Sequence, residues 1–293
     1  MARFIFSAFA DEAASDINGQ IAALKDNGIS YIEPRNVDGT PILKLSNEKL
    51  YEIRAALDKA SIKVGSLGSP IGKYPINEPF DIHMKELERA LEVCEILGTT
   101  NMRMFSFFVE QDELSEKRDE VIYRLEKMCL LAKEHGVRLC HENESKIYGQ
   151  MPREVYDLYN SVPMLYFIFD AANYRMNDGD VIDGAKATLL RPAYMHIKDA
   201  IFSSQQIVPA GEGEGQIGEV IDMFNEATDG LVYLTLEPHL HIFDAYKDID
   251  EHELKGKYNF KTNREAFDFA VRALEKLMTE KGYRKEDNGE WIK

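Results

Sequence analysis

Cysteine is scarce in this chain. Cys94, Cys129 and Cys140 are the only three in 293 residues, and no Cys-x-x-Cys pair occurs. An odd number without such spacing argues against a disulfide framework and reads as reduced intracellular thiols. Positive charge is also in short supply: 35 Lys and Arg face 51 Asp and Glu, a formal net charge of −16. A surface of that sign repels phosphate backbones, which argues against a nucleic-acid partner, though not against a small anion held by a local arginine. No apolar run is long enough to cross a membrane, so no membrane partner is expected. There is no cationic leader with a cleavage site. Met1 to Ala10 is apolar but short, is interrupted by Asp11 and Glu12, and reads as a first strand, so a cytoplasmic location is the expectation. No glycine-rich phosphate loop follows that strand, which weakens a doubly wound dinucleotide-binding sheet. Nor does any linker or shift in composition divide the chain.

What is present is an ordinary globular composition, 44% apolar and 29% charged, arranged as short apolar strands alternating with amphipathic helices. Strands are expected at Phe4–Phe9, Tyr31–Glu33, Lys63–Ser66, Asn101–Phe105, Val137–Glu144, Leu165–Asp170, Ala193–Asp199 and Leu231–Glu237. Between and after them the helical periodicity runs over Ser15–Asn27, Ser46–Ala60, Phe80–Leu97, Leu114–His135, Pro152–Asn160, Val181–Leu190, Ile217–Thr228 and Asn263–Met278. Ser15 and Ser46 or Asn47 are placed to cap their helices, and Gly28, Gly98 and Gly136 to stop theirs. Eight strand–helix units of this kind give a parallel sheet covered by helices and, on closure, a single-domain (β/α)₈ TIM barrel over residues 1–279. Residues 280–293 read as a charged, peripheral tail in which Trp291 could dock. Two long connections, Gly68–Pro79 and Pro238–Lys261, are expected to overhang the mouth, the second as a partial lid.

Four apolar strands in succession end in charge. The fifth ends in Glu142 and Glu144, the sixth in Asp170, the seventh in His196, Lys198 and Asp199, and the eighth in Glu237. A barrel gathers the C-terminal ends of its strands at one mouth, where active sites sit. A charge at the end of an apolar strand is costly unless compensated, and a cation would compensate all four at once. Three carboxylates and one imidazole suit one divalent ion: Mn²⁺ first, with Mg²⁺, Co²⁺ or Zn²⁺ as alternatives. The plainer reading, that each residue caps the next helix or pairs with a lysine, stands beside it.

The motifs Glu142-Asn143-Glu144, Phe169-Asp170-Ala171-Ala172-Asn173, His196-Ile197-Lys198-Asp199, Pro209-Ala210-Gly211-Glu212-Gly213 and Leu236-Glu237-Pro238 resemble those of the xylose-isomerase-like barrels. These include sugar-phosphate isomerases and epimerases, ketose 3-epimerases and inosose-processing enzymes. The resemblance spans about Phe4 to Leu277. It implies that Glu142, Asp170, His196 and Glu237 ligate one divalent ion, and that Glu142 and Glu237 also exchange protons with a sugar, sugar phosphate or cyclic polyol ketone through a metal-stabilised enediolate. The outcome would be epimerisation or isomerisation. An inosose-type dehydration is the enzymatic alternative, and a non-catalytic sugar-binding barrel is the alternative from another class.

There are departures from the family. Ketose 3-epimerases often carry histidine where this chain has Asn173, and the strand ends at Ser66, Gly68 and Ser106 lack the histidines of the related three-metal abasic-site endonucleases. Around the proposed ion, Arg103, Arg35, Asn173, Lys198 and His239 are candidates for substrate contact. Either arginine could hold a phosphate or carboxylate, or pair with Glu33 or another rim acid; Lys198 could instead neutralise Asp199. Asp199 and Glu212 are assigned to an outer layer that orients ligands, although the glycines around Glu212 also suit a tight turn. Glu144 reads as a rim residue, His83, His135 and His252 as surface, and Cys140 as inert. Barrels of this type often self-associate, so a homo-oligomer remains open.

Overall fold

The computed structural model describes residues 1–241 and 260–293. The lid expected over Pro238–Lys261, and His252 within it, therefore fall largely outside the described residues. Eight parallel strands form the barrel: Ala2–Ala8, Tyr31–Ile32, Lys63–Val64, Asn101–Met104, Arg138–Glu142, Tyr166–Asp170, Pro192–Ile197 and Gly230–Leu236. The fourth to eighth strands pair with their neighbours in chain order, and the eighth pairs with the first. The second pairs with the third. Two junctions are held by isolated hydrogen bonds rather than long ladders. Glu33 N–H donates to Ala8 O (3.0 Å), joining the first and second strands. Leu67 N–H to Asn101 O (2.9 Å) and Arg103 N–H to Leu67 O (3.0 Å) join the third and fourth. The eight-stranded barrel expected from the alternation is the fold that forms.

The helices start and stop for local reasons. Ile17–Asp26 is capped by Asp16, whose side chain accepts from Gly19 N–H, one residue later than the expected Ser15. Ser46 caps Asn47–Lys59 through Lys49 N–H. Phe80–Leu97 ends where Gly98 adopts a left-handed conformation that releases the chain from the helix. A short helix not foreseen, Ala171–Met176, follows the sixth strand directly, capped by Asp170 itself. The seventh strand ends at Ile197 rather than Asp199, because Asp199–Ile201 leaves the barrel to form a hairpin with Gln206–Val208.

The tail beyond residue 279 keeps residues 284–288 exposed, while the docking offered to Trp291 is realised. Glu290–Ile292 pairs antiparallel with the first strand at Phe4 and Ile5, and Trp291, 4% exposed, stacks on Phe6 with ring centroids 5.5 Å apart. Burying two aromatic faces outweighs the charge of the surrounding residues. His83 is also buried rather than on the surface. Its ring stacks on Tyr74 at 4.6 Å, and its Nε2 accepts the Gly72 N–H at 2.9 Å. Gly72 has φ +89°, and a Cβ there would come within 1.9 Å of Phe105 O, so the loop after the third strand needs glycine to lie against the fourth.

His141, fully buried on the fifth strand, bonds through Nε2 to Ser106 Oγ (2.9 Å), which also accepts Gly149 N–H (2.7 Å). Burial pushes its imidazole from 6.5 down to about 3. The unfolded chain takes up a proton near 6.5 that the native state refuses until about 3. Stability therefore falls as pH drops through that window, by roughly 2 kcal/mol at pH 5. His141→Gln is expected to flatten the dependence of the urea midpoint on pH between 7 and 5; an unchanged slope contradicts this.

Candidate active site

The parallel register places four chemically loaded strand ends side by side. Asp170 lies opposite His196, and His196 opposite Thr235, two residues before Glu237. Glu142, Asp170, His196 and Glu237 are all buried, and each offers one ligand atom lying within 4.8 Å of the other three. His196 Nδ1 is 2.9 Å from Glu142 Oε1 and 3.7 Å from Glu237 Oε2. Asp170 divides its carboxylate. Oδ1 accepts Asn173 N–H at 2.8 Å and starts the following helix, so the plainer capping reading holds for that oxygen. Oδ2 points inward and accepts no hydrogen bond, although Lys198 Nζ lies 3.1 Å away.

The charges are mutually dependent. Burial acts against the Glu142 carboxylate, but His196 and Arg103 overcome it and hold Glu142 well below the usual range. Burial pushes Asp170 up to about 7, against the pull of Lys198 and with added repulsion from Glu142 and Glu237. Burial also opposes the charge on Lys198, which Asp170 and Glu237 keep protonated. An acidic, buried cluster with an inward carboxylate oxygen faced only by the Lys198 ammonium, three oxygen ligands and one ring nitrogen fits a divalent metal ion.

A second ring of side chains holds this cluster. Arg103 Nη1 reaches Glu142 Oε2 at 3.3 Å, while its other nitrogens donate to the carbonyls of Ser69 and Gly68. Arg35 bonds Glu237 Oε1 (3.0 Å), Asp11 Oδ2 (3.0 Å) and Glu12 Oε1 (3.3 Å). Both arginines thus take the salt-bridge alternative, with partners other than Glu33. Phe9 lies between them, 4.4 Å from the Arg35 guanidinium carbon and 4.9 Å from that of Arg103. Asn173 Nδ2 donates to Asn143 O at 2.8 Å and lies 3.5 Å from Glu142 Oε1. The Asn143 amide in turn bonds both backbone groups of Asp170. His239 is not an exposed loop residue. It is buried, with Nε2 3.3 Å from both Glu12 Oε1 and Glu237 Oε1.

Lys198 faces Asp170 and Glu237, not Asp199. The outer-layer role expected for Asp199 is corrected: its two oxygens accept the backbone N–H groups of Ala200, Gly211, Gly213 and Gly215, and it shapes that turn instead of orienting a ligand. Glu212 lies exposed on the same turn, outside the cluster. Glu144 pairs with Lys73 at the rim, 2.9 Å apart.

Asp11, Glu12, Glu33, Tyr194 and Asn143 belong to the site but carry no assignment from the sequence. Glu33 had the right signal, a carboxylate closing an apolar strand, and is fully buried. Asp11 and Glu12 had the same signal after the first strand, but read there only as an interruption of an apolar segment.

A family model described as the xylose isomerase-like TIM barrel matches residues 21–253. Sequence comparison with curated proteins gives no match. Among solved structures, the probable 3-DHS dehydratase AsbF from Bacillus anthracis aligns with a TM-score of 0.71 at 13% identity, over 92% of this chain and 98% of that one. IOLI protein with a bound zinc atom aligns at 0.70 and 15%, over 95% and 98%. D-psicose 3-epimerase with D-tagatose from Clostridium cellulolyticum H10 aligns at 0.68 and 12%, over 93% and 99%. At such identities the shared fold is the finding. Together with the family match over most of its length, it shows that the chain belongs to the xylose isomerase-like TIM-barrel family.

Proposed function

We propose that the protein is a divalent-metal-dependent isomerase or epimerase acting on a polyhydroxy ketone. The observation that carries this reading is the convergence of one ligand atom each from Glu142, Asp170, His196 and Glu237, all within 4.8 Å and all buried. A divalent ion held there would supply Lewis acidity, polarising a hydroxy-ketone so that the adjacent carbon becomes acidic enough to lose a proton. The zinc-bound and sugar-bound neighbours of the same fold support the assignment. Mn²⁺ is our first choice, on the oxygen-rich donor set.

The chain's own residues would do the rest. Glu142 and Glu237 stand at the two ends of the row formed by the fifth to eighth strands, and both are held ionised by neighbouring cations. They are the groups to take and return the proton, a role worth about 10²–10⁴-fold. Return to the opposite face gives epimerisation; return to the neighbouring atom gives isomerisation. Asn173, Lys198 and His239 border the cluster and would donate to substrate hydroxyls. The paired state of Arg35, Arg103 and Lys198 favours an uncharged ketose or cyclic polyol ketone over a phosphorylated one, because among the described residues each of these cations already faces a carboxylate. A dehydratase is the second reading, favoured by the AsbF-like neighbour: the same proton abstraction followed by loss of hydroxide.

The purified protein is expected to bind about one equivalent of Mn²⁺. Saturation at roughly a hundred times the dissociation constant should raise stability by about 2.7 kcal/mol, an effect that Asp170→Asn should remove. Absence of metal by elemental analysis and of any Mn²⁺-dependent shift in melting temperature would remove the basis of the reading.

Incubation with neutral ketoses in D₂O should place deuterium at the carbon next to the carbonyl, and Glu142→Gln and Glu237→Gln should each slow this at least about 100-fold. Loss of water identifies the dehydratase. Metal binding without exchange for any polyol ketone would indicate a binding protein.

A further inference from the structure

The His196 ring is turned so that Nδ1, and not Nε2, faces Glu142 and Glu237. The ring is fully buried, and its Nε2 lies 3.4 Å from Oε2 of Glu33, which is also fully buried. The other oxygen of Glu33 is fixed in turn. Tyr194 Oη is 2.8 Å from Glu33 Oε1 and 2.8 Å from Ser66 Oγ. A phenol has one proton to give, and an ionised carboxylate can only accept. The chain of bonds therefore runs one way: the Ser66 hydroxyl donates to Tyr194, the Tyr194 hydroxyl to Glu33, and His196 Nε2–H to the second oxygen of Glu33.

The residues come from opposite walls. Tyr194 and His196 are two apart on the seventh strand and so share its inward face. Glu33 follows the second strand and Ser66 the third. The Phe9 ring, edge-on to His196 at 5.1 Å, fills the space beside the imidazole.

We infer that Glu33 is a positioning residue: through its bond to Nε2 it fixes the rotation of the His196 ring and keeps Nδ1, which bonds Glu142 Oε1, directed at the cation site, with Tyr194 and Ser66 holding Glu33 in place. Carboxylates that orient metal-binding histidines typically matter by 10–100-fold in metal affinity. This inference rests on the proposed metal site.

The test uses the full-length protein, titrated with Mn²⁺ by calorimetry, and the ¹⁵N spectrum of its histidine rings without metal, with the His196 signals assigned by their loss in His196→Gln. Glu33→Gln keeps the shape and removes the charge. It should raise the Mn²⁺ dissociation constant about 10–100-fold and move the Nε2 signal of His196. Tyr194→Phe, which removes only the bond that holds Glu33, should do the same to a smaller extent. A folded Glu33→Gln protein with unchanged Mn²⁺ affinity and unchanged ring signals overturns the inference. Should that variant fail to fold, unchanged values in Tyr194→Phe do so. If the unsubstituted protein binds no Mn²⁺, the metal reading fails by itself, and the metal-free ring spectra still decide whether Glu33 sets the orientation of His196.

Discussion

The mouth of this barrel is governed by buried carboxylates in excess of the cations that face them. Asp11, Glu12, Glu33, Glu142, Asp170 and Glu237 are all removed from solvent, while Arg35, Arg103, Lys198 and the His196 imidazolium approach them. Removing an ionised carboxylate from water is costly, and ion pairs in the interior repay that cost only with good geometry and further hydrogen bonds. The contacts around Asp11, Glu33 and Glu142 meet that condition. The inward oxygen of Asp170 does not, and Asp170 is accordingly pushed toward its neutral form. A dication among the four converging ligand atoms would relieve this imbalance, which is why charge and geometry point to the same place.

The remainder of the barrel works to keep that cluster in position. Asn143 clasps the backbone at Asp170, tying the end of the fifth strand to the sixth. The Tyr194 hydroxyl crosses the interior to reach Glu33 and Ser66, so the wall with the shortest strand pairing is braced against the seventh strand. Asp199 gathers four backbone N–H groups, and the turn it shapes could not accommodate side chains at 213 or 215, where a Cβ would lie within 2.3 and 2.6 Å of its carboxylate. This turn stands beside the site without entering it. Its glycines serve backbone geometry.

Much of this is legible in the order of residues along the chain. Apolar strands alternating with amphipathic helices require a parallel sheet covered by helices, and eight such units with no linker lead to a barrel. A carboxylate or histidine at the end of four consecutive strands then predicts their meeting, because closure brings strand ends together regardless of their distance in sequence. Partner choice is not legible in the same way. Arg35 could have paired with Glu33, next to it but one in sequence. It pairs instead with Asp11, Glu12 and Glu237, brought beside it by the meeting of the first, second and eighth strands.

The sequence by itself determined the fold class, the metal-like donor set and the strand ends that carry it, since those follow from periodicity and from residue type at known positions along each element. Only the tertiary structure decided that Trp291 closes over Phe6, that Asp199 holds a turn rather than a ligand, and that Glu33 reaches His196 across the barrel. Those contacts join residues far apart in the chain, or depend on the direction of a side chain within a closed interior. Periodicity says which face a residue shares. It does not say what stands opposite once the barrel has closed.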